Sequence, residues 1–279
     1  VTYKPPKHPP GDRSHLERLI QALSIEEGIA ADRLRRWVST QVLLGALARG
    51  DDDERRFLLK GGVAMELRLR LRARATKDID VIVIPDGDVD LIDALRIALE
   101  EPYLDFGFRL ARSQSIEYTP AQRMDVKMTY KGRPWATLRL EASPPGVERA
   151  EAEEISAFSL TQLGLHGPEQ VACQSLRYQI ATKLHAVTER FPEGENDRFR
   201  DLIDLLLLQE LEPDLTQVAD ACRDVFTGRA KQSWPPELHA EPSWPEQYRA
   251  LATEQNFAVQ DVAQAVALVQ ALINDIAAA

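Results

Sequence analysis

The spacing of hydrophobic and polar positions changes several times along this chain, and each change marks an element. From Ser14 to about Ala48 the spacing is helical. Leu16, Leu19, Ile20 and Leu23 recur three and four apart, and a second series runs through Leu34, Trp37, Val38, Val42, Leu44 and Leu47. Ser14, with Glu17 three positions on, has the spacing of a capping box, so the first helix is expected to begin there. A charged turn follows at 50–55. Apolar runs at 57–59 and 79–84 then read as strands, separated by a helix over 63–71. Residues 90–100 form an amphipathic series through Leu91, Leu95, Ala98 and Leu99. Strands are expected at 106–110, 123–130 and 135–142, the last two joined by the turn Tyr130-Lys131-Gly132-Arg133-Pro134. Beyond Pro168 the helical period returns over 168–190, 197–210, 214–227 and 256–277, with an irregular stretch from Ser233 to Pro245. Proline-rich residues 1–13 are expected to be an extended arm or a disordered tail. The pattern predicts an α+β chain: a helical N-terminal arm (1–50), a mixed-sheet core with flanking helices (51–150) and a helical C-terminal domain (151–279).

Composition narrows the class. A chain of 279 residues, 44% hydrophobic and 28% charged, belongs with folded globular proteins rather than disordered ones. No apolar run approaches the roughly 20 residues that span a bilayer, and the first residues lack the apolar stretch of a signal peptide. Cys173 and Cys222, far apart and without metal-ligand spacing, fit a reduced, cytoplasmic protein. The net charge of −10 argues against indiscriminate coating of nucleic acid. Arginines nonetheless cluster at Arg33, Arg35 and Arg36 and at Arg68, Arg70, Arg72 and Arg74. With Lys127, Lys131 and Arg133, the second cluster is expected to form a basic channel.

The chemistry concentrates in two places. Lys60-Gly61-Gly62 closes a strand and opens a helix, and paired glycines there let backbone N–H groups approach a polyphosphate. Asp78 and Asp80, at i and i+2 on the following strand, project from one face and suit Mg²⁺ carrying phosphates. A further strand carboxylate would complete a site for phosphoryl transfer. Glu141, at the end of the hairpin's second strand on its polar face, is preferred over Asp125.

The second place is helical. Lys183 interrupts an apolar helix through Ile180, Leu184 and Val187, and snorkelling to solvent is the plain alternative to a contact with phosphate. Downstream, Asp197, Asp201 and Asp204 share a helical face, with Arg198 beside them. Asp201 or Asp204 would orient Lys183 or take a proton from an attacking hydroxyl. His185 falls away from Lys183 on the helix and is expected to be structural. The Trp-Pro corners at Trp234 and Trp244 are expected to pin a loop rather than to stack on a nucleic acid.

Taken together, Lys-Gly-Gly, Asp-x-Asp, the strand carboxylate, Ala-Thr-Lys183-Leu-His-Ala and Arg198-x-x-Asp-x-x-Asp resemble the AbiEii/AbiGii nucleotidyltransferase-like toxins of bacterial toxin–antitoxin and abortive-infection systems. The likeness is greatest to their mycobacterial members and includes Tyr130-Lys-Gly-Arg and the stretch from Trp234 to Tyr248. It implies a polymerase-β-like nucleotidyltransferase core using Mg²⁺ and a nucleoside triphosphate (NTP). In related toxins the acceptor is the 3′ end of tRNA, and the added nucleotides block aminoacylation. A cognate antitoxin encoded nearby is implied as partner, and no membrane is.

Carried over by position, Lys60, Gly61 and Gly62 would hold the triphosphate. Asp78, Asp80 and Glu141 would bind metal, Lys183 would contact the triphosphate, and Asp201 or Asp204 would support catalysis. Arg198 would be a second substrate contact. The family often has Ser where this chain has Gly62, so a hydroxyl contact to phosphate is either missing or supplied by Thr76. Transfer to a protein or a small molecule, or a non-catalytic NTP-binding module, are the alternative functions.

Overall fold

The structure is a computed structural model and describes residues 3–49, 56–74, 76–117, 119–146 and 151–279. The charged turn expected at 50–55 lies outside them. The chain divides into two compact units. The first comprises Val1–Arg70, Ala75–Pro145 and Ala152–Cys173, and the second Leu71–Arg74, Gly146–Glu151 and Gln174–Ala279.

The first unit is built on a mixed sheet. Among the described residues its strands are β1 (Phe57–Lys60), β2 (Asp78–Val83), β3 (Phe106–Leu110), β4 (Gln114–Ser115), β5 (Gln122–Tyr130), β6 (Arg133–Ser143), β7 (Ala152–Ser156) and β8 (Gln170–Gln174). They run in the order β3-β5-β6-β2-β1-β8-β7, with β4 on β5. Strands β2 and β6 are parallel, as are β1 and β8, while β1–β2, β3–β5 and β5–β6 are antiparallel.

Alternation gives the sheet two different faces. Met124, Val126 and Met128 of β5 and Leu138, Leu140 and Ala142 of β6 are buried, whereas Arg123, Asp125, Lys127, Thr137 and Arg139 are exposed. A bulge between Met128 and Thr129 lets Trp135 join the buried set without inverting the strand beyond it. The apolar core is shared with helices α1 (Arg13–Glu27), α2 (Ala31–Ala48), α3 (Gly61–Leu69) and α4 (Leu91–Ala98). Helix α2 is buried from Trp37 to Leu47, and its Ser39 hydroxyl accepts a 2.9 Å hydrogen bond from Trp135 Nε1. In the proline-rich arm, Pro10 O accepts a hydrogen bond from the Tyr130 hydroxyl at 2.7 Å.

The second unit is a bundle of α5 (Leu176–Thr188), α6 (Arg200–Gln209), α7 (Leu215–Arg229), α8 (Trp244–Glu254) and α9 (Val262–Ala278). Helix α6 is buried continuously from Asp201 to Leu208. The α+β expectation is met, with three local corrections. The N-cap of α1 is Asp12, whose carboxylate accepts from His15 N at 2.7 Å, and not Ser14. Glu17 turns outward to Arg13 and Arg35 instead of reaching back. Residues 170–174, read as the start of a helix, form β8 because a short apolar run carries no period of its own. The stretch read as irregular ends in α8: Trp244, Tyr248 and Ala252 fall four apart and are buried, with Pro245 in the first turn.

Candidate active site

Register fixes the carboxylates. Asp80 of β2 is the direct partner of Glu141 on β6, and Asp78 is the direct partner of Arg139. Arg139 in turn faces Asp125 on β5, so Asp125 stands two strands from Asp78 while Glu141 adjoins Asp80. All of these side chains leave the same face of the sheet, because partners across a ladder share a face. Glu141 accepts a charged hydrogen bond from Arg123 at 2.6 Å, and Asp78 lies 3.7 Å from the Arg139 guanidinium. Sequence reading gave neither arginine a role, although both follow from the alternation of β5 and β6.

The glycine turn closes on this face. Gly61 has φ +64°, and a side-chain carbon added there would sit 2.1 Å from Asp80 Oδ2. The backbone at Gly61 therefore packs directly against the carboxylate, which only glycine permits. Carbon added at Gly62 would meet Thr76 Cβ and Oγ1 at 2.7 Å, so the Thr76 side chain fills the space a serine at 62 would need. Lys60, the partner of Asp80 across β1–β2, donates to Ser143 Oγ at 2.8 Å.

Glu66, unremarked in the sequence, organises the approach to β2. It is buried and accepts from Trp37 Nε1 at 2.7 Å and from Thr76 N at 2.8 Å. A buried carboxylate with two donors fixes the loop that delivers Asp78.

Among the described residues no group of three or more His, Cys, Asp or Glu side chains is arranged to hold a metal ion. Asp78 Oδ1, however, is buried with no hydrogen-bond partner, and it shares a face with Asp80. A carboxylate oxygen that accepts no hydrogen bond, with the Arg139 guanidinium 3.7 Å away and a second carboxylate on the same face, fits Mg²⁺, which takes one or two protein carboxylates and completes its shell with water and phosphate.

The second unit brings Lys183, Asp201 and Asp204 together. Lys183 Nζ donates to Asp201 Oδ1 and to Asp204 Oδ2, each at 2.7 Å, and its side chain is only 11% exposed, so it does not snorkel. Arg74 adds bonds to both oxygens of Asp204 at 3.2 and 3.3 Å. Burial by itself would strip the proton from Lys183, but the two aspartates override it and hold the pKa above its ordinary value. Burial would likewise raise Asp204, and Lys183 and Arg74 reverse that and hold it below the usual carboxylate range.

The other helical candidates stand apart from this cluster. Asp197 and Arg198 are exposed. Asp197 is not the cap of α6, whose N-cap is Phe199, and Asn196 accepts from Arg198 N instead. His185 is fully buried against Phe226, as expected of a structural residue. Trp244 is fully buried and bonded to Asn196 O. Burial raises the thiols of Cys173 and Cys222 to about 12, which leaves neither poised as a nucleophile.

The expected basic channel needs revision. Arg68 is paired with Glu153 at 2.8 Å, Arg72 with Glu210, Arg74 with Asp204, and Lys131 with Asp105 at 3.5 Å. Carboxylates close in space, invisible in the sequence, engage these cations.

No helix among the described residues is long and apolar enough to cross a membrane. Comparison with known proteins gives four findings. MenT4, a nucleotidyltransferase toxin from Mycobacterium tuberculosis H37Rv, matches with TM-score 0.54 and 16% identity over 94% of this chain and 98% of its own; at that identity the likeness shows the fold alone. The antibiotic-resistance factor ANT(2'')-Ia matches at TM-score 0.39 and 17% identity, over 69% of this chain and 94% of its own, too low to carry an argument. No curated protein matches the sequence. Residues 43–271 match the family described as the nucleotidyl transferase AbiEii toxin of type IV toxin–antitoxin systems. With most of its length in that match, the chain belongs to the AbiEii family and is a toxin-type nucleotidyltransferase.

Proposed function

We propose that the protein transfers nucleotides from an NTP to the 3′ end of tRNA in the cytoplasm, blocking aminoacylation and so translation, and that a cognate antitoxin restrains it. The observation that carries the reading is the convergence of Asp78, Asp80 and Glu141 on one sheet face, with the Gly61 backbone packed against Asp80. In the reaction, the acceptor 3′-hydroxyl oxygen forms a bond to the α-phosphorus as the bond to the β-phosphate oxygen breaks, and pyrophosphate leaves. Asp78 and Asp80 hold Mg²⁺, with Glu141 as the third carboxylate. When bound there, the ion neutralises charge on the α-phosphate.

This chain's own groups do the rest. Gly61 and Gly62 allow backbone N–H groups to reach the triphosphate. Lys60 and the Thr76 hydroxyl add polar contacts, and Arg198 is a further substrate contact. Lys183 supplies a fixed positive charge to the triphosphate. Asp201 or Asp204 orients that ammonium or accepts the hydroxyl proton.

The test incubates the protein with each labelled NTP and bulk tRNA, then assays the tRNA for aminoacylation. Label is expected on tRNA 3′ ends, lost in a folded Asp80→Ala variant. Label appearing in protein or small molecules instead would replace the acceptor. A folded Asp80→Ala protein that still transfers would refute the mechanism.

A further inference from the structure

With Arg68, Arg72, Arg74 and Lys131 of the expected channel held in ion pairs, the cations on the open sheet face stand out. Arg109 of β3 and Lys127 of β5 are direct cross-strand partners and share the face that carries Asp78, Asp80 and Glu141. Like charges directly opposite one another destabilise a sheet. Both side chains are exposed, and among the described residues neither forms an ion pair or a hydrogen bond. They line a groove of about 610 Å³ together with Arg13, Thr129, Pro134 and Thr137. Gly107 keeps its floor low: a side-chain carbon there would come within 2.9 Å of Thr129 Oγ1. Asp125 lies two residues from Lys127 on the same face, but Arg139 is its cross-strand partner.

Strand spacing sets the scale. Lys127 and Arg109 lie two and three strand spacings from Asp78, which places them roughly 12 and 16 Å away along the face, from strand separations of ~4.8 Å and a rise of ~3.4 Å per residue. A triphosphate whose α-phosphate sits at the carboxylates does not reach that far. The phosphodiester backbone of an acceptor strand does.

We propose that Arg109 and Lys127 bind backbone phosphates of the acceptor RNA a few nucleotides upstream of its reacting 3′ end. This deepens the nucleotidyltransferase reading and rests on its acceptor being a polynucleotide. The contacts are to phosphate, so they position the strand without selecting its bases.

The test uses the full chain and Arg109→Ser, Lys127→Ser and the double variant, each checked for a wild-type thermal midpoint, with Arg96→Ser on α4 as a control cation. Binding of a dye-labelled single-stranded RNA 12-mer, without NTP, is read by anisotropy from 50 to 200 mM KCl. Each substitution is expected to lower the slope of log K against log salt by about 0.7 and the double variant to bind at least tenfold more weakly. Affinity for labelled NTP and the Arg96→Ser slope should stay at wild-type values. In transfer assays the acceptor KM should rise while kcat holds.

A double variant with wild-type slope and affinity overturns the proposal. So does wild-type protein that binds poly-glutamate as tightly as RNA, which would mark a face for an acidic protein partner. If the variants lose RNA binding but wild type transfers nothing to RNA, the face stands and the proposed acceptor falls.

Discussion

Replacing Gly61 by alanine adds one atom at the point where the glycine turn meets the sheet face that carries Asp78, Asp80 and Glu141. Two effects are separable. The first is conformational: φ +64° costs a residue with a side chain about 1–2 kcal/mol. The second is local collision. The new carbon would lie 2.1 Å from Asp80 Oδ2, so the carboxylate has to withdraw by more than 1 Å to restore an ordinary contact of at least 3.4 Å. A displacement of about 1 Å in a reacting constellation costs on the order of 100-fold in rate, equivalent to about 2.7 kcal/mol of barrier.

Gly87→Ala is the matched control. It has φ +55° and no heavy atom within 4 Å of the added carbon, so it pays the backbone term without the collision. Single-turnover transfer of labelled nucleotide, with urea unfolding of each variant, separates the two terms. Both variants should lose about 1–2 kcal/mol of stability, and only Gly61→Ala should lose transfer by roughly two orders of magnitude. Full activity in Gly61→Ala, or an equal loss in Gly87→Ala, would show that the contact with Asp80 does not govern the reaction.

Three further outcomes follow from the same geometry. Lys183→Met leaves Asp201 and Asp204 buried, with Arg74 still paired to Asp204; it should cost about 3 kcal/mol in urea unfolding, and a loss below about 1 kcal/mol would make the cluster energetically idle. His185 is held neutral by burial and by Arg229 and Lys231 against the weaker pull of Glu189, its pKa lowered to about 4. Because the unfolded chain takes up that proton near 6.5 and the folded chain only near 4, stability should fall as pH drops through that window. His185→Gln should flatten the slope, and an unchanged slope would assign it elsewhere. Chelation by EDTA should abolish transfer, with recovery on adding Mg²⁺ and no change in thermal midpoint; transfer persisting in EDTA would exclude the metal role of Asp78 and Asp80.

The strands that carry the carboxylates were legible because alternation is a local signal. Met124, Val126 and Met128 point one way and Arg123, Asp125 and Lys127 the other, and both the hairpin and its turn lie where that pattern places them. Strand β8 was not, because a five-residue buried strand looks like the first turn of the helix that follows it. Helix α8 was available in the spacing of Trp244, Tyr248 and Ala252 but hidden by the prolines around it. The candidate site divides in the same way. Asp78, Asp80 and Gly61 are neighbours by strand and turn, so their relation can be read directly. The engagement of Arg74 with Asp204, 130 residues away, and of Arg68 with Glu153, 85 away, depends on tertiary folding that no local pattern encodes.

The place of β2 in the sheet also sets a clock. One neighbour, β1, is made just before it, but the other, β6, pairs in parallel and brings Glu141 opposite Asp80 only after about 60 further residues have been added. At ribosomal rates of roughly 5–20 residues per second, that delay lasts about 3–12 seconds. During it the two aspartates lie on a sheet edge with no third carboxylate beside them. A chain whose synthesis stops before residue 141 therefore lacks the partner that stands opposite Asp80. The ribosome must add the whole β5–β6 hairpin before β2 gains its second neighbour.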